Sequence, residues 1–206
     1  MRISEHIYNK YLCFSVQSIN KCMRNLLHKS DELVYIKAQT DYLEKLAVHC
    51  DYAITLQTCL PTYAVSEATM DKRIELTRRS LFDFRLRFNR LMTGNGWRRN
   101  NNYLPIFLAA IEGTQNTYDK NRTLHIHIAV GNLHPAATQE LIADGIRQLW
   151  MATEVGTEDI MVDRLTKDTE VRWIKYISKE AGAGNWQCID YVNTQVPQKI
   201  LEKINN

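Results

Sequence analysis

Leu124-His125-Ile126-His127-Ile128-Ala129-Val130, closed by Gly131-Asn132, is the stretch whose reading decides the fold. It alternates histidine with aliphatic residues, is rich in β-branched side chains and ends at a turn-forming pair, so it reads as a strand. Side chains at i and i+2 of a strand share a face. Leu124, Ile126, Ile128 and Val130 therefore point one way, and His125 and His127 the other. The aliphatic face suits a core. The opposite face presents two neighbouring imidazoles, the spacing of a metal site, although a half-exposed strand that merely carries two of the six histidines has the same sequence.

Working outward, Tyr103 to Glu112 reads as a largely buried strand with an acid near its end, with Pro105 near the strand start or on an edge. The polar connection from Gly113 to Thr123 then makes an antiparallel hairpin with the histidine strand, bringing Glu112 within reach of its histidine face. Asp51 to Thr58 alternates apolar and polar residues and is stopped by Pro61, which predicts another strand. Between these lies a helical pattern from about Ser66 to Met92, with Ser66 as N-cap. Its apolar residues, Ile74, Leu81, Phe84, Leu86, Phe88 and Leu91, do not trace one clean stripe.

Charge is segregated onto this helix and the loop after it. Residues 72–99 hold nine Lys and Arg against two acids, a net +7, which leaves −4 for the rest of a chain whose formal charge is +3. Arg78, Arg79, Arg85, Arg87, Arg90, Arg98 and Arg99, with Trp97, Phe84 and Phe88 interleaved for base stacking, form the footprint expected of a nucleic-acid binder. A solvated helix face is the plainer reading.

After the histidine strand, Pro135 to about Glu154 predicts a helix with Leu141, Ile142, Ile146, Leu149 and Trp150 as its apolar stripe, and Asp159 to Leu165 a strand. Thr169 to Ser178 predicts a last helix, ended by the Gly182–Asn185 stretch, and the polar tail after Pro197 reads as short and frayed. Upstream, residues 1–49 show helical spacing and form an N-terminal helical extension to a domain covering 50–206. The elements of the domain follow the order β–α–β–β–α–β–α.

The 206 residues hold five cysteines, Cys13, Cys22, Cys50, Cys59 and Cys188, with no CxxC pair, which argues for reduced thiols rather than a disulfide framework or a Cys-based zinc site. No apolar run is long enough to span a bilayer, and the first residues lack a signal-peptide pattern. A cytoplasmic protein with no membrane partner is expected.

Tyr176 and Lys179 are three residues apart, one turn along one helix face. A phenol is a weak nucleophile at its ordinary pKa of about 10, and a nearby ammonium and a metal-polarised phosphate ease its attack. Taken alone, Tyr-x-x-Lys carries almost no information, since a helical tyrosine is more often a packing residue. Read with His125-Ile126-His127 on a strand and an acid on the strand before it, the set resembles the HUH single-strand endonucleases, which implies an α+β fold with a central antiparallel sheet flanked by helices and an RRM-like core, in agreement with the element order above. Within them the chain is similar to single-tyrosine rolling-circle replication initiators, most closely the prophage YagK/YfjJ family related to the gene-two replication proteins of filamentous phages. The resemblance covers about residues 50–195.

What the resemblance implies is specific. Tyr52 to Leu56 falls on the family's first motif, His125-Ile126-His127 on the second and Tyr176 to Lys179 on the third. His125, His127 and Glu112 are implied as ligands of a divalent ion, Mg²⁺ or Mn²⁺, with Tyr176 as nucleophile and Lys179 as its cationic partner. The implied substrate is single-stranded or hairpin origin DNA, nicked to a 5′-phosphotyrosyl link and a free 3′-hydroxyl in the replication of a prophage or other mobile element. No GxxxxGK[ST] motif is present, so unwinding is expected of a host helicase. A single-tyrosine transposase or relaxase shares this chemistry, and a DNA-binding regulator that has lost cleavage shares the fold. His134 reads as a loop residue and Tyr191 as the fallback nucleophile.

Overall fold

The computed structural model describes residues 29–114, 119–182, 185 and 188–205. The helical pattern read between Val16 and Leu27 lies outside the described residues. Two compact units divide the chain, Met1–Gln39 and Thr40–Asn206. Helix α1 (Lys29–Ala47) crosses that boundary, and its last turns bring Leu43, Leu46 and Ala47 to buried positions in the larger unit. The larger unit therefore begins about one helix half earlier than residue 50.

The larger unit is α+β. Strands β1 (Cys50–Pro61), β2 (Ile106–Glu112), β3 (Thr123–Gly131) and β4 (Gly156–Arg164) form one antiparallel sheet in the order β2-β3-β1-β4. Helix α2 (Glu67–Thr93) links β1 to β2, and α3 (Gln139–Met151) links β3 to β4. After β4 come α4 (Glu170–Ile177), the short α5 (Lys179–Gly182) and α6 (Gln198–Asn205). Among the described residues, no helix is long and apolar enough to cross a membrane.

Period-two alternation sends one apolar row of each of β1, β2 and β3 to the same side of the sheet. Ile54 and Leu56 of β1, Phe107 and Ile111 of β2, and Leu124, Ile126, Ile128 and Val130 of β3 meet Leu81, Phe84 and Phe88 of α2 and Ile142, Ile146 and Trp150 of α3 in one core. Ser66 caps α2 by accepting a hydrogen bond from the Thr69 N–H at 3.2 Å. The buried row along α2 is Met70, Thr77, Leu81, Phe84 and Phe88, at spacings of seven, four, three and four. A regular stripe does exist. It hides in the sequence because Thr77 belongs to it while Leu91 does not; Thr77 spends its hydroxyl on the Arg73 carbonyl at 2.8 Å. Leu141, expected on the apolar face of α3, is exposed.

Among the described residues, Trp150 is the largest fully buried side chain. Its ring meets Phe84 edge-on at 5.7 Å and its Nε1 donates to the Gln57 carbonyl at 2.7 Å. Trp150→Ala is expected to cost about 3–5 kcal/mol, the range for emptying a buried aromatic site, and urea unfolding checks it.

The end of the chain is more ordered than its polarity predicts. Phe107 and Gln195 exchange backbone hydrogen bonds at 2.8 and 2.7 Å, and the Asp190 N–H donates to the Ala109 carbonyl at 2.8 Å. This segment closes the open edge of β2. Residues after Pro197 form α6 rather than a frayed tail, with Ile200 buried.

Candidate active site

The register of the sheet sets the site. Glu112 on β2 stands opposite His125 on β3, and Thr55 on β1 stands opposite His127. All four lie on the face away from the α2–α3 core. Gly113, directly after Glu112, takes φ 80°, where a Cβ would press on the Thr123 carbonyl oxygen at 2.9 Å. That turn is glycine's to make, and it places the carboxylate at the end of its strand.

Both histidines aim Nε2 at one oxygen. His125 Nε2 and His127 Nε2 each lie 3.4 Å from Glu112 Oε2. The other ring nitrogens are held from outside. His125 Nδ1 lies 3.3 Å from the Thr123 carbonyl oxygen, which can only accept, so a neutral ring carries its proton on Nδ1 and presents an Nε2 lone pair. His127 Nδ1 is 3.0 Å from the Thr55 hydroxyl. Outer partners of this kind orient the imidazoles of metal sites.

Glu112 is fully buried, and its Oε1 and His127 Nε2 have no hydrogen-bond partner among the described residues. Buried polar atoms without partners are unfavourable, and a bound cation would satisfy them. The three residues offer ligand atoms that all lie within 4.8 Å of one another. Ligand atoms on a shell of radius about 2.0–2.2 Å are separated by about 3.0–3.5 Å, which the 3.4 Å pairs match. The triad therefore fits a divalent ion. Its chemistry, two imidazoles and one carboxylate, does not select Mg²⁺ or Mn²⁺.

The surroundings set the charge state. Burial alone would raise the Glu112 carboxyl, but His125, His127 and the Lys179 ammonium outweigh it and hold the group well below the usual carboxylate range. Burial lowers His127 below its ordinary value, with the charges of His125 and Lys179 adding to the effect and Glu112 opposing it. For both groups the unfolded chain binds the proton first, so stability is complete above the unfolded values and falls in acid. Urea midpoints are expected to decline as pH drops below about 6.5, through His127, and again below about 4.5, through Glu112. A midpoint that rises between pH 7 and pH 5 would refute this assignment.

Beside the triad lies a cavity of about 730 Å³. Thr55, Gln57 and the two histidines floor it, Met161 of β4 borders it, and Arg172, Trp173 and Tyr176 wall it. Tyr176 is half-exposed, and its ring meets His127 at 5.1 Å and stacks on Trp173 at 5.5 Å. Lys179 Nζ sits 3.7 Å from the Tyr176 ring centre and 2.7 Å from Glu112 Oε2. The folded chain thus brings Glu112, His125, His127, Tyr176 and Lys179 to one place. One detail differs from the sequence reading: Tyr176 and Lys179 do not share a continuous helix. Helix α4 ends at Ile177, Ser178 caps it, and Lys179 opens α5. Ser178 adopts φ −97° and ψ 5° and turns its hydroxyl back to the Ile174 carbonyl at 2.8 Å.

The arginines are not part of this cluster. Helix α2 packs on the opposite face of the sheet. Phe84 and Phe88, expected to stack on bases, have no exposed surface and fill the core instead. Arg85 is half-buried and donates to the Gln195 side chain at 2.9 Å, a structural bond that ties α2 to the segment covering β2. Arg79, Arg87 and Arg90 are exposed on α2, Arg78 is half-buried there, and Arg98 and Arg99 are exposed at the turn that includes Trp97. Arg164 and Arg172 line the cavity and were missed in the sequence, because neither belongs to a run of charge. His134 lies beyond β3, away from the triad, and accepts the Ala136 N–H at 3.2 Å. Tyr191, the fallback nucleophile, follows the bridge between Ile189 and Ala110 and does not line the cavity. Cys50 is a buried free thiol, Cys59 an exposed one, and Cys188 is buried.

No protein-family model, curated protein or solved structure matches this chain.

Proposed function

We propose that this chain is a metal-dependent, single-tyrosine DNA nickase and strand transferase of the HUH type that starts rolling-circle replication of a mobile element. The observation that carries the reading is the convergence, from three separate elements, of a buried Glu-His-His triad with an exposed tyrosine whose ring touches one of its histidines. Buried polar atoms left without partners beside a half-exposed phenol favour a ligand site over a purely structural cluster.

The roles follow from position. Glu112, His125 and His127 would hold the ion. When bound, a divalent ion supplies charge stabilisation to the phosphate oxygens. Trp173 stacks on the Tyr176 ring and limits its rotation, so the phenol oxygen meets the scissile phosphorus from one side. Tyr176 Oη loses its proton and forms the P–O bond, the P–O3′ bond breaks, and the 3′ oxygen leaves and takes up a proton. A 5′-phosphotyrosyl link and a free 3′-hydroxyl result. Lys179 offsets charge on the phosphate. Arg164 and Arg172 line the cavity and add positive charge to that of Lys179 for the strand's phosphates.

The arginine-rich outer surface of α2, on the far side of the sheet, supports a second role in holding DNA away from the site. It is also what a regulator without cleavage would use. One assay separates these readings: single-stranded oligonucleotides from the gene's own neighbourhood are incubated with the protein and Mn²⁺, and a covalent adduct is sought on a denaturing gel. An adduct supports the nickase. Tight binding to such DNA with no adduct on any of it supports the regulator.

A further inference from the structure

Lys179 joins the buried triad to the exposed tyrosine. Its Nζ lies 2.7 Å from Glu112 Oε2, the same oxygen that both histidine Nε2 atoms face at 3.4 Å. The carboxylate is wholly enclosed, whereas the lysine side chain is 42% exposed. Its stem can swing; its root cannot. The next residue, Glu180, accepts hydrogen bonds from the Gly113 N–H at 3.0 Å, the Thr114 hydroxyl at 3.1 Å and the Asn185 amide at 2.9 Å. These bonds fasten α5 to the turn after Glu112, so the ammonium pivots from a fixed point beside the triad.

The geometry points to a charge exchange in which Lys179 is the resident competitor for Glu112: ion binding at the triad passes the ammonium from the carboxylate to a phosphate oxyanion beside Tyr176. One carboxylate cannot neutralise an ammonium and a dication together, and in a buried site the two cations repel each other strongly. The ammonium on Glu112 already lies 3.7 Å from the Tyr176 ring centre, so a phosphodiester entering at Tyr176 brings a negative charge within its reach. Lysine suits the task, being a compact charge on a flexible stem. The phosphate end of this exchange rests on the nuclease reading. The competition for Glu112 stands on the triad alone.

The test is therefore made without DNA, on the full chain, by measuring Mn²⁺ affinity with calorimetry and with the electron-spin signal of free Mn²⁺. Lys179→Met keeps the length and removes the charge, and is expected to bind Mn²⁺ at least about tenfold more tightly than wild type. Lys179→Arg keeps a cation and is expected to stay within about twofold. Unchanged or weaker binding by Lys179→Met overturns the exchange, as does equal tightening by Lys179→Arg. Lys179→Gln replaces the Met variant if that variant unfolds. Failure of the function reading looks different: tightening by Lys179→Met with no wild-type adduct removes the nuclease and keeps the competition.

Discussion

Tyr176→Phe is expected to abolish the covalent protein–DNA adduct while leaving fold and Mn²⁺ binding as they are. The substitution removes one oxygen and keeps every ring contact, to His127 at 5.1 Å, to Trp173 at 5.5 Å and to the Lys179 ammonium at 3.7 Å. Tyr176 is half-exposed, so losing the hydroxyl leaves no buried group unpaired and costs little stability. Deleting a nucleophile removes most of an enzyme's acceleration, on the order of 10⁴-fold or more, so the adduct should fall below detection. The adduct gel reads the loss, and a thermal melt reads the intact fold. An adduct that survives would move the nucleophile elsewhere, with Tyr191 the first alternative.

His127→Ala is expected to have the second largest effect. Outer partners of a metal ligand cost about 10–100-fold in affinity when removed, and a direct ligand should cost more. The variant takes away one of three donors that lie within 4.8 Å of one another, together with the ring that borders Tyr176 and Trp173. Mn²⁺ titration should therefore show affinity weakened beyond about 100-fold, and the adduct should disappear with it. His125→Ala offers an internal comparison, since its ring touches His127 but forms no ring contact with Tyr176 or Trp173. Undiminished Mn²⁺ affinity in His127→Ala would show that the triad is not the metal site.

The two variants separate the halves of the site. Tyr176→Phe should keep the metal and lose chemistry; His127→Ala should lose both. A site assembled from the end of β2, the middle of β3 and the helices after β4 has no other simple way to give that pattern.

Much of this was legible in local sequence because it rests on period and chemistry. The alternation through Leu124 to Val130 determined a strand, its two faces and the pairing of His125 with His127, since the pleat allows no other division. A strand ending in an acid, placed before a polar connection, was enough to predict an antiparallel partner. Ser66 announced the start of α2. Where sequence reading failed, the missing information was non-local. The aromatic residues of α2 look available for bases until the sheet packs on them, and Thr77 looks polar until it is found in the same buried row. The residues after Pro197 look frayed because a partner such as the Asn102 side chain, which accepts the Lys199 N–H at 3.0 Å, is 97 residues away.

What the sequence by itself determined about this protein is therefore the list of chemical parts and the faces of the strands that carry them. Only the tertiary structure decided that Glu112 sits opposite His125, that the basic helix covers the other side of the sheet from the histidines, and that Lys179 reaches Glu112 across the break at Ser178. The physical reason is that propensity and periodicity act over a few residues. Register, the side of the sheet a helix packs on and the sharing of one buried carboxylate are settled by contacts between separate segments, from the 13 residues between Glu112 and His125 to the 67 between Glu112 and Lys179.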